Sequence, residues 1–389
     1  MGTGPRDGRP FGPGLALPRP PGPPCSAPPS SGPDRDAGHR KRWREDPSPE
    51  TNRPLRFPHN KPNVRVFTWL RRLFEERSVP TPIVIVSDAL PGDTVAPLKA
   101  ACDVRQIDGR DRQALLAALP EADALIVRSG TRVDAEVLER ATRLRVVARA
   151  GVGLDNVDTA TARALGVTVV NAPDANSVSV AELTVSLVVA SVRHLQEAGR
   201  SLRAGEWRRS DFAGTELSGR TAGIVGFGRV GREVARRLAA FDMRILVHDP
   251  YADTLADDVH ATGLDELLAA ADVVTLHLPR TPTTTGLIGA RELRLMKPTA
   301  HLVNTARGGI VDESALYRAL CAGTLAGAAL DVFATEPPGA SPLLDLPNVV
   351  AVPHLGASTA EAQLRAGHEA VRKVLAELAP LLAPAPTTV

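Results

Sequence analysis

Along residues 81–352 the apolar positions fall into two kinds of run. Short stretches rich in Val, Ile, Leu and Ala, closed off by charged residues or glycine, occur at 83–86, 104–107, 124–127, 146–148 and 167–170. Between them, apolar residues recur three and four apart, as on a helix packed by one face. These stretches are a helix ending at 101 that Asp93 can cap, then 112–119, 135–141 and 159–165. A second series follows, with strands at 222–225, 245–247, 273–276, 300–304, 326–332 and 349–352 and helices at 230–241, 264–270, 290–296 and 314–322. Ser177 to Arg203 reads as one long helix between the two series, with Ser177 and Ser179 as candidate caps, and 361–382 reads as the last helix. Strands that are apolar on both faces and alternate with helices predict α/β architecture, with doubly wound parallel sheets covered by helices on each side. The expected division is 81–176 for one α/β unit, 177–351 for a second inserted into it, and 352–389 for a return to the first.

One junction in the second series carries chemistry. After the strand at 222–225, Gly226, Gly228 and Gly231 spell G-x-G-x-x-G where strand turns into helix, and Asp249 ends the next strand 18 residues after Gly231. The first glycine permits the tight turn, the second lets backbone approach a pyrophosphate, and the third lets helix and strand pack closely. The helix N-terminus then offers free N–H groups to the anion. Asp249 is expected to accept hydrogen bonds from the ribose hydroxyls of NAD and to repel the 2′-phosphate of NADP.

Ligands of parallel sheets bind beyond the carboxyl ends of the strands, and several ionisable residues stand there. Arg307 follows the strand at 300–304, Glu336 follows 326–332, and His354 follows 349–352. A guanidinium suits a substrate carboxylate, an imidazole can take or give a proton near neutral pH, and a carboxylate on that imidazole fixes its tautomer. This set suits hydride exchange between NAD and a small anionic 2-hydroxy or 2-keto acid. In the first series Arg128, Ser129, Arg149 and Gly151 lie at strand ends and are candidates for a second anionic group on the substrate.

Composition divides the chain of 389 residues. Residues 1–80 contain 17 of the 34 prolines, with 15 Lys/Arg against 8 Asp/Glu, a net of +7 that leaves the remainder at −5. Such a segment buries too little apolar surface to offset its ordering entropy. It is expected to be a disordered leader, apart from a short basic helix at 67–77, and to be absent from the native chain, with the true start near Val79. The overall charge of +2 implies no nucleic-acid partner. The three cysteines, Cys25, Cys102 and Cys321, have no metal-like spacing, so no metal is expected. No run of 18 apolar residues or signal-peptide pattern is present, so a cytoplasmic enzyme without a membrane partner is expected.

The text from Ile83 onward resembles the D-isomer-specific 2-hydroxyacid dehydrogenases. The matching stretches are Arg128-Ser129, RAGVGLDNVD from Arg149, NAP from Asn171, AEL from Ala181, GFGRVG from Gly226, HLPRTPTTTGLI from His277, NTARGGIVDE from Asn304, DVFATEPP from Asp331 and PHLGAST from Pro353. The resemblance implies a Rossmann NAD-binding domain inserted into a flavodoxin-like substrate domain. It implies Arg307 as carboxylate clamp, His354 as acid/base and Glu336 as its partner. It implies cofactor contacts at Arg229, Val230, Asp249, Thr305, Ala306, Asp331 and Gly356, with Asp331 near the nicotinamide carboxamide. It further implies Arg128 and Arg149 at a substrate phosphate, with Arg209 lent by a neighbouring subunit of a homodimer or homotetramer. Many relatives continue into a serine-binding regulatory domain. This sequence ends at Val389, and feedback through such a domain is not expected. Two other readings share these motifs: a reductase of unphosphorylated 2-keto acids, and an NAD-sensing binding protein related to transcriptional corepressors.

Overall fold

The computed structural model describes residues 81–252 and 259–383; the expected leader, including the helix at 67–77, lies outside the described residues. The first sheet takes β1 (Ile83–Val86), β2 (Asp103–Gln106), β3 (Ala124–Val127), β4 (Val146–Arg149) and β5 (Thr168–Asn171), all parallel, in the order β2-β1-β3-β4-β5. Its connections contain α1 (Ala96–Ala101), α2 (Arg112–Ala118), α3 (Ala135–Arg140) and α4 (Thr159–Ala164). Alternate residues of each strand face opposite sides. Val84, Val86, Ile126 and Ala148 pack with Leu98 of α1 and with Ala370, Val374 and Leu378 near the C-terminus, while Ile85, Leu125 and Val127 pack with Leu115, Val137 and Ala162 of α2, α3 and α4.

Two helices then lead into the second sheet: α5 (Ser177–Val192) and α6 (Leu195–Arg203). The expected single helix is broken by a 64° bend. His194 adopts a left-handed backbone (φ 52°), and the Val192 carbonyl, which would have accepted the next turn's N–H, accepts from Thr215 at 3.0 Å. Apolar periodicity continues across the break, so pattern alone does not mark it. Neither proposed serine caps α5. Asn176 holds the cap position without a side-chain bond, and the Ser179 hydroxyl meets Thr359 Oγ1 at 2.8 Å. Asp93 likewise does not cap α1 with its side chain; its carbonyl accepts from Ala96.

The second sheet contains β6 (Thr221–Val225), β7 (Arg244–His248), β8 (Val259–Ala261), β9 (Val273–Leu276), β10 (His301–Asn304), β11 (Gly327–Leu330) and β12 (Val349–Ala351), all parallel, in the order β12-β11-β10-β9-β6-β7-β8. The edge strand β8 was not expected, because it is short and mostly exposed. The helices here are α7 (Arg229–Ala239), α8 (Leu264–Ala270), α9 (Ala290–Leu295) and α10 (Glu313–Cys321); α11 (Ala360–Leu382) closes the described chain. Leu187 and Val188 of α5 and Val234 and Leu238 of α7 cover one face with Ile224, Val247 and Val303, and α8, α9 and α10 cover the other. Each sheet reverses its winding once, between β1 and β3 and between β6 and β9, and a crevice opens at such points.

Candidate active site

The glycine turn sits at the reversal point of the second sheet. Gly226 has φ 94°, and a Cβ there would lie 2.6 Å from the His277 carbonyl oxygen at the end of β9. A Cβ on Gly231 would lie 2.2 Å from the Gly226 carbonyl oxygen, whereas one on Gly228 would meet nothing within 4 Å. Two glycines therefore let backbone segments close on each other, and the third leaves space beside the start of α7. That space is part of a cavity of about 360 Å³ lined by Gly228, Arg229 and Val230, by His277, Leu278 and Pro279, by Thr305, Ala306 and Arg307, and by Val152, Pro173, Asn176, Ser177 and Val180. The cavity thus collects the ends of β6, β9 and β10, the start of α5 and a loop of the first sheet.

Among the described residues, the buried side-chain atoms without a hydrogen-bond partner are Ser177 Oγ and His277 Nδ1, and both residues line this cavity. Such atoms are costly unless a ligand or water meets them. Burial pulls His277 down to about 3, so its ring is neutral near pH 7. Arg229 pairs with Asp174 at the rim. Asp249 stands at the end of β7, where Oδ2 accepts the Phe227 N–H at 2.7 Å and Oδ1 accepts the Tyr251 N–H at 2.9 Å. It therefore fastens the glycine turn as well as placing a negative charge beside it. The open space at Gly228, the free helix start and the unpartnered polar atoms fit a dinucleotide.

The loop after β10 is shaped by Asn304, which accepts from Ala306 N at 3.1 Å and donates to the Arg307 carbonyl at 3.0 Å. Thr305 Oγ1 meets Thr184 Oγ1 of α5 at 2.7 Å. Arg307 directs Nε to Asp155 Oδ2 at 3.1 Å and Nη1 to the Ala306 carbonyl at 2.7 Å. Gly308 packs so tightly that a Cβ there would lie 1.7 Å from the Phe333 carbonyl oxygen, which ties the Arg307 loop to the one bearing Glu336.

Beyond β11, Asp331 is fully buried; its oxygens accept the Leu355 and Gly356 N–H groups at 2.5 and 2.9 Å. Burial pushes its carboxyl above the usual range, against the pull of those two donors. Its backbone carbonyl accepts the His354 N–H at 2.8 Å, and His354 has φ 53°. Asp331 thus sets the loop that presents the imidazole, whose Nδ1 lies 2.7 Å from Glu336 Oε2. Glu336 Oε1 accepts the Phe333 N–H at 3.1 Å. The pair is exposed and stands outside the cavity lining, on the adjoining strand ends.

On the first sheet, Asp88 at the end of β1 accepts the backbone N–H of Arg128 at 2.6 Å and of Thr131 at 3.2 Å. The Arg128 side chain reaches the Ala89 carbonyl at 3.2 Å. Ser129 is exposed, and a Cβ on Gly151 would lie 2.6 Å from Arg149 Nη1, so the glycine leaves that guanidinium its space. Arg149 Nε donates to Asn156 Oδ1 at 3.1 Å. Burial, and then the Arg307 guanidinium, pulls Arg149 below its usual range. Arg128, Arg149 and Arg307 thus belong to one cationic group. Arg209, in an exposed turn after α6, joins none of these contacts. Asn176, Ser177 and His277 line the cavity and Asp155 and Asn156 touch its arginines; the sequence pattern marks Ser177 only as a helix cap and assigns none of the five to the site. The last two lie inside the quoted run from Arg149, where two polar side chains after paired glycines were an available signal.

A family model for the D-isomer specific 2-hydroxyacid dehydrogenase, NAD binding domain, matches residues 185–356. The D-3-phosphoglycerate dehydrogenase of Mycobacterium tuberculosis is 52% identical over 301 residues, covering 77% of this chain and 57% of that protein. The chain thus spans little more than half the length of that relative. The hydroxypyruvate reductase of Thermotoga maritima is 44% identical over 271 residues, covering 69% of this chain and 89% of that one. The crystal structure of the TT0316 protein from Thermus thermophilus superposes with a TM-score of 0.72 at 38% identity, over 77% of this chain and 97% of that one. With these likenesses and an NAD-binding unit built on the second sheet, the chain belongs to the D-isomer-specific 2-hydroxyacid dehydrogenase family.

Proposed function

We propose that the protein oxidises D-3-phosphoglycerate to 3-phosphohydroxypyruvate with NAD, at the entry to serine synthesis. The reading rests on one convergence: Arg307 lines the cavity that begins at the glycine turn, while the 2.7 Å His354–Glu336 pair stands on the adjoining strand ends. Residues 81–176 and 352–389 form the substrate-binding portion around an NAD-binding portion at 177–351. The packing of α11 on the first sheet and of α5 on the second supports this division.

When bound, NAD supplies the acceptor for the hydride that leaves C2 of the substrate. Arg307 pairs with the substrate carboxylate through the N–H groups left free by Asp155 and Ala306. His354 Nε2 takes the hydroxyl proton as the ketone forms, and returns it in the reverse reaction. Glu336 holds the Nδ1–H tautomer and stabilises the imidazolium. Gly228, Arg229 and Val230 hold the pyrophosphate, with Gly226 and Gly231 closing the turn that presents them, and Asp249 holds the ribose. Thr305, Ala306, Asp331 and Gly356 form the wall at the nicotinamide end. Asp331 acts there by fixing the Leu355–Gly356 backbone, since it is fully buried and its oxygens are turned to those two N–H groups. Arg128, Ser129, Arg149 and Gly151 face the phosphate end. The protein works in the cytoplasm as a homodimer or homotetramer, with Arg209 lent across subunits. The exposure of Trp207 (82%), Leu202 and Leu195 supports pairing of two copies there.

Steady-state oxidation of 3-phosphoglycerate against D-lactate, D-glycerate and malate, each with NAD, tests the reading. A clear preference for 3-phosphoglycerate is expected, and its absence rejects this substrate. The second reading, reduction of an unphosphorylated 2-keto acid, is favoured by the 89% coverage of the Thermotoga hydroxypyruvate reductase. NAD binding without turnover of any 2-hydroxy or 2-keto acid would instead point to a sensing protein.

A further inference from the structure

Two adjacent side chains in the loop after β4 reach in different directions to the arginines of the site. Asp155 Oδ2 accepts the Arg307 Nε–H at 3.1 Å. Asn156 Oδ1 accepts the Arg149 Nε–H at 3.1 Å, and its Nδ2 donates to the carbonyls of Arg128 at 2.7 Å and Thr131 at 2.6 Å. Only one amide orientation satisfies all three bonds, with the oxygen toward the guanidinium and the nitrogen toward the carbonyls. The Asn156 backbone carbonyl also accepts the Val133 N–H at 2.8 Å. The loop from Arg128 to Thr131 is therefore gripped on two sides: Asp88 takes its N–H groups and Asn156 its carbonyls.

On the other side, Arg307 gives one N–H to Asp155 and one to Ala306, which leaves Nη2 and the second hydrogen of Nη1 for a planar carboxylate. Gly153 keeps room for that edge, because a Cβ there would lie 2.1 Å from Arg307 Nη2. The Arg307 charge works against that of Arg149, and the Asp155 carboxylate bonded to Arg307 works for it.

We propose that Asp155 and Asn156 are positioning residues that set the two ends of the substrate separately. Asp155 aims the Arg307 guanidinium at the carboxylate. Asn156 aligns Arg149 and the Arg128 loop with an anionic group at the far end. The proposal deepens the functional reading above and rests on its assignment of the arginines.

The test compares 3-phosphoglycerate with D-glycerate, which differs in lacking the phosphate. Both are measured by steady-state turnover with NAD and by calorimetric binding to the complex of the full chain with NADH. Asn156→Ala, with Asn156→Ser as the milder variant should the first unfold, is expected to weaken 3-phosphoglycerate by roughly 10- to 100-fold, the scale of a charge-assisted hydrogen bond. D-glycerate should change little. Asp155→Ala is expected to weaken both substrates alike, and Asp155→Asn to restore them, because its amide oxygen still accepts the Nε–H. NAD affinity should hold in all four variants. Equal losses on both substrates in Asn156→Ala or Asn156→Ser, no loss in Asp155→Ala, or no rescue by Asp155→Asn would overturn the proposal. A wild-type protein that binds both acids but turns over neither rejects the dehydrogenase reading, while the binding comparison still decides this one.

Discussion

His354 Nδ1 lies 2.7 Å from Glu336 Oε2, while Glu336 Oε1 is held by the Phe333 N–H at 3.1 Å. The carboxylate is thus anchored to backbone before it meets the imidazole, and it can fix the ring's tautomer without moving. Glu336→Gln keeps the shape but allows an amide N–H to face Nδ1, which favours the wrong tautomer. Turnover should fall by roughly 10²–10⁴-fold, with NAD affinity unchanged by fluorescence titration. A turnover within a few-fold of wild type would remove Glu336 from the chemistry.

Gly308 touches the Phe333 carbonyl so closely that any side chain must separate the two loops. Those loops carry Arg307 and Glu336. Gly308→Ala should therefore lower stability by about 1–3 kcal/mol in chemical denaturation, the usual cost of overpacking. It should also cut turnover beyond what the stability loss explains. An unchanged unfolding midpoint would mean that the loops are free to part.

Asp249 accepts two backbone N–H groups and also bears the charge that opposes a 2′-phosphate. Asp249→Asn keeps an acceptor for Phe227 but removes the charge. The preference for NAD over NADP, measured as the ratio of kcat/KM, should narrow by roughly tenfold, or about 1.4 kcal/mol. If the preference stays as in the wild type, another group sets it.

His301 is 6% exposed, with Nδ1 2.7 Å from Ser191 Oγ. Burial, and then the neighbouring His194, lowers it to about 4. Above its unfolded value of about 6.5 the ring is neutral in both states and costs nothing. Between about 6.5 and 4 the unfolded chain binds a proton that the folded ring refuses, so stability falls as pH falls, by up to about 1.4 kcal/mol per pH unit. Denaturation from about pH 7.5 to about pH 4.5 should show this acid limb, and His301→Gln should make it shallower by one proton. An identical slope in the variant would mean that His301 accepts its proton in the fold.

Much of the site was readable in the chain because its parts are local. A glycine turn between strand and helix, and an Arg, a Glu and a His each past a strand, are patterns within a few residues. The partners of those groups were not readable in this way. The carboxylate of Asp331 bonds to N–H groups 24 and 25 residues away, and Arg307 meets Asp155 across 152. Asp155 and Asn156 stand side by side after two glycines, but nothing in that spacing shows which arginine each one reaches.

Local pattern by itself determined the alternation of strands and helices, because side-chain periodicity reports which face of an element is covered, and glycine spacing and residue identity within that alternation determined the nucleotide turn and the three ionisable strand ends. Only the tertiary structure decided the break at His194, where Thr215 takes the Val192 carbonyl, the edge strand β8, and the gathering of Arg128, Arg149, Asp155, Asn156 and Arg307. These depend on strand order and on which groups distant in the chain are brought within hydrogen-bonding distance, and neither is encoded in the pattern of any single segment.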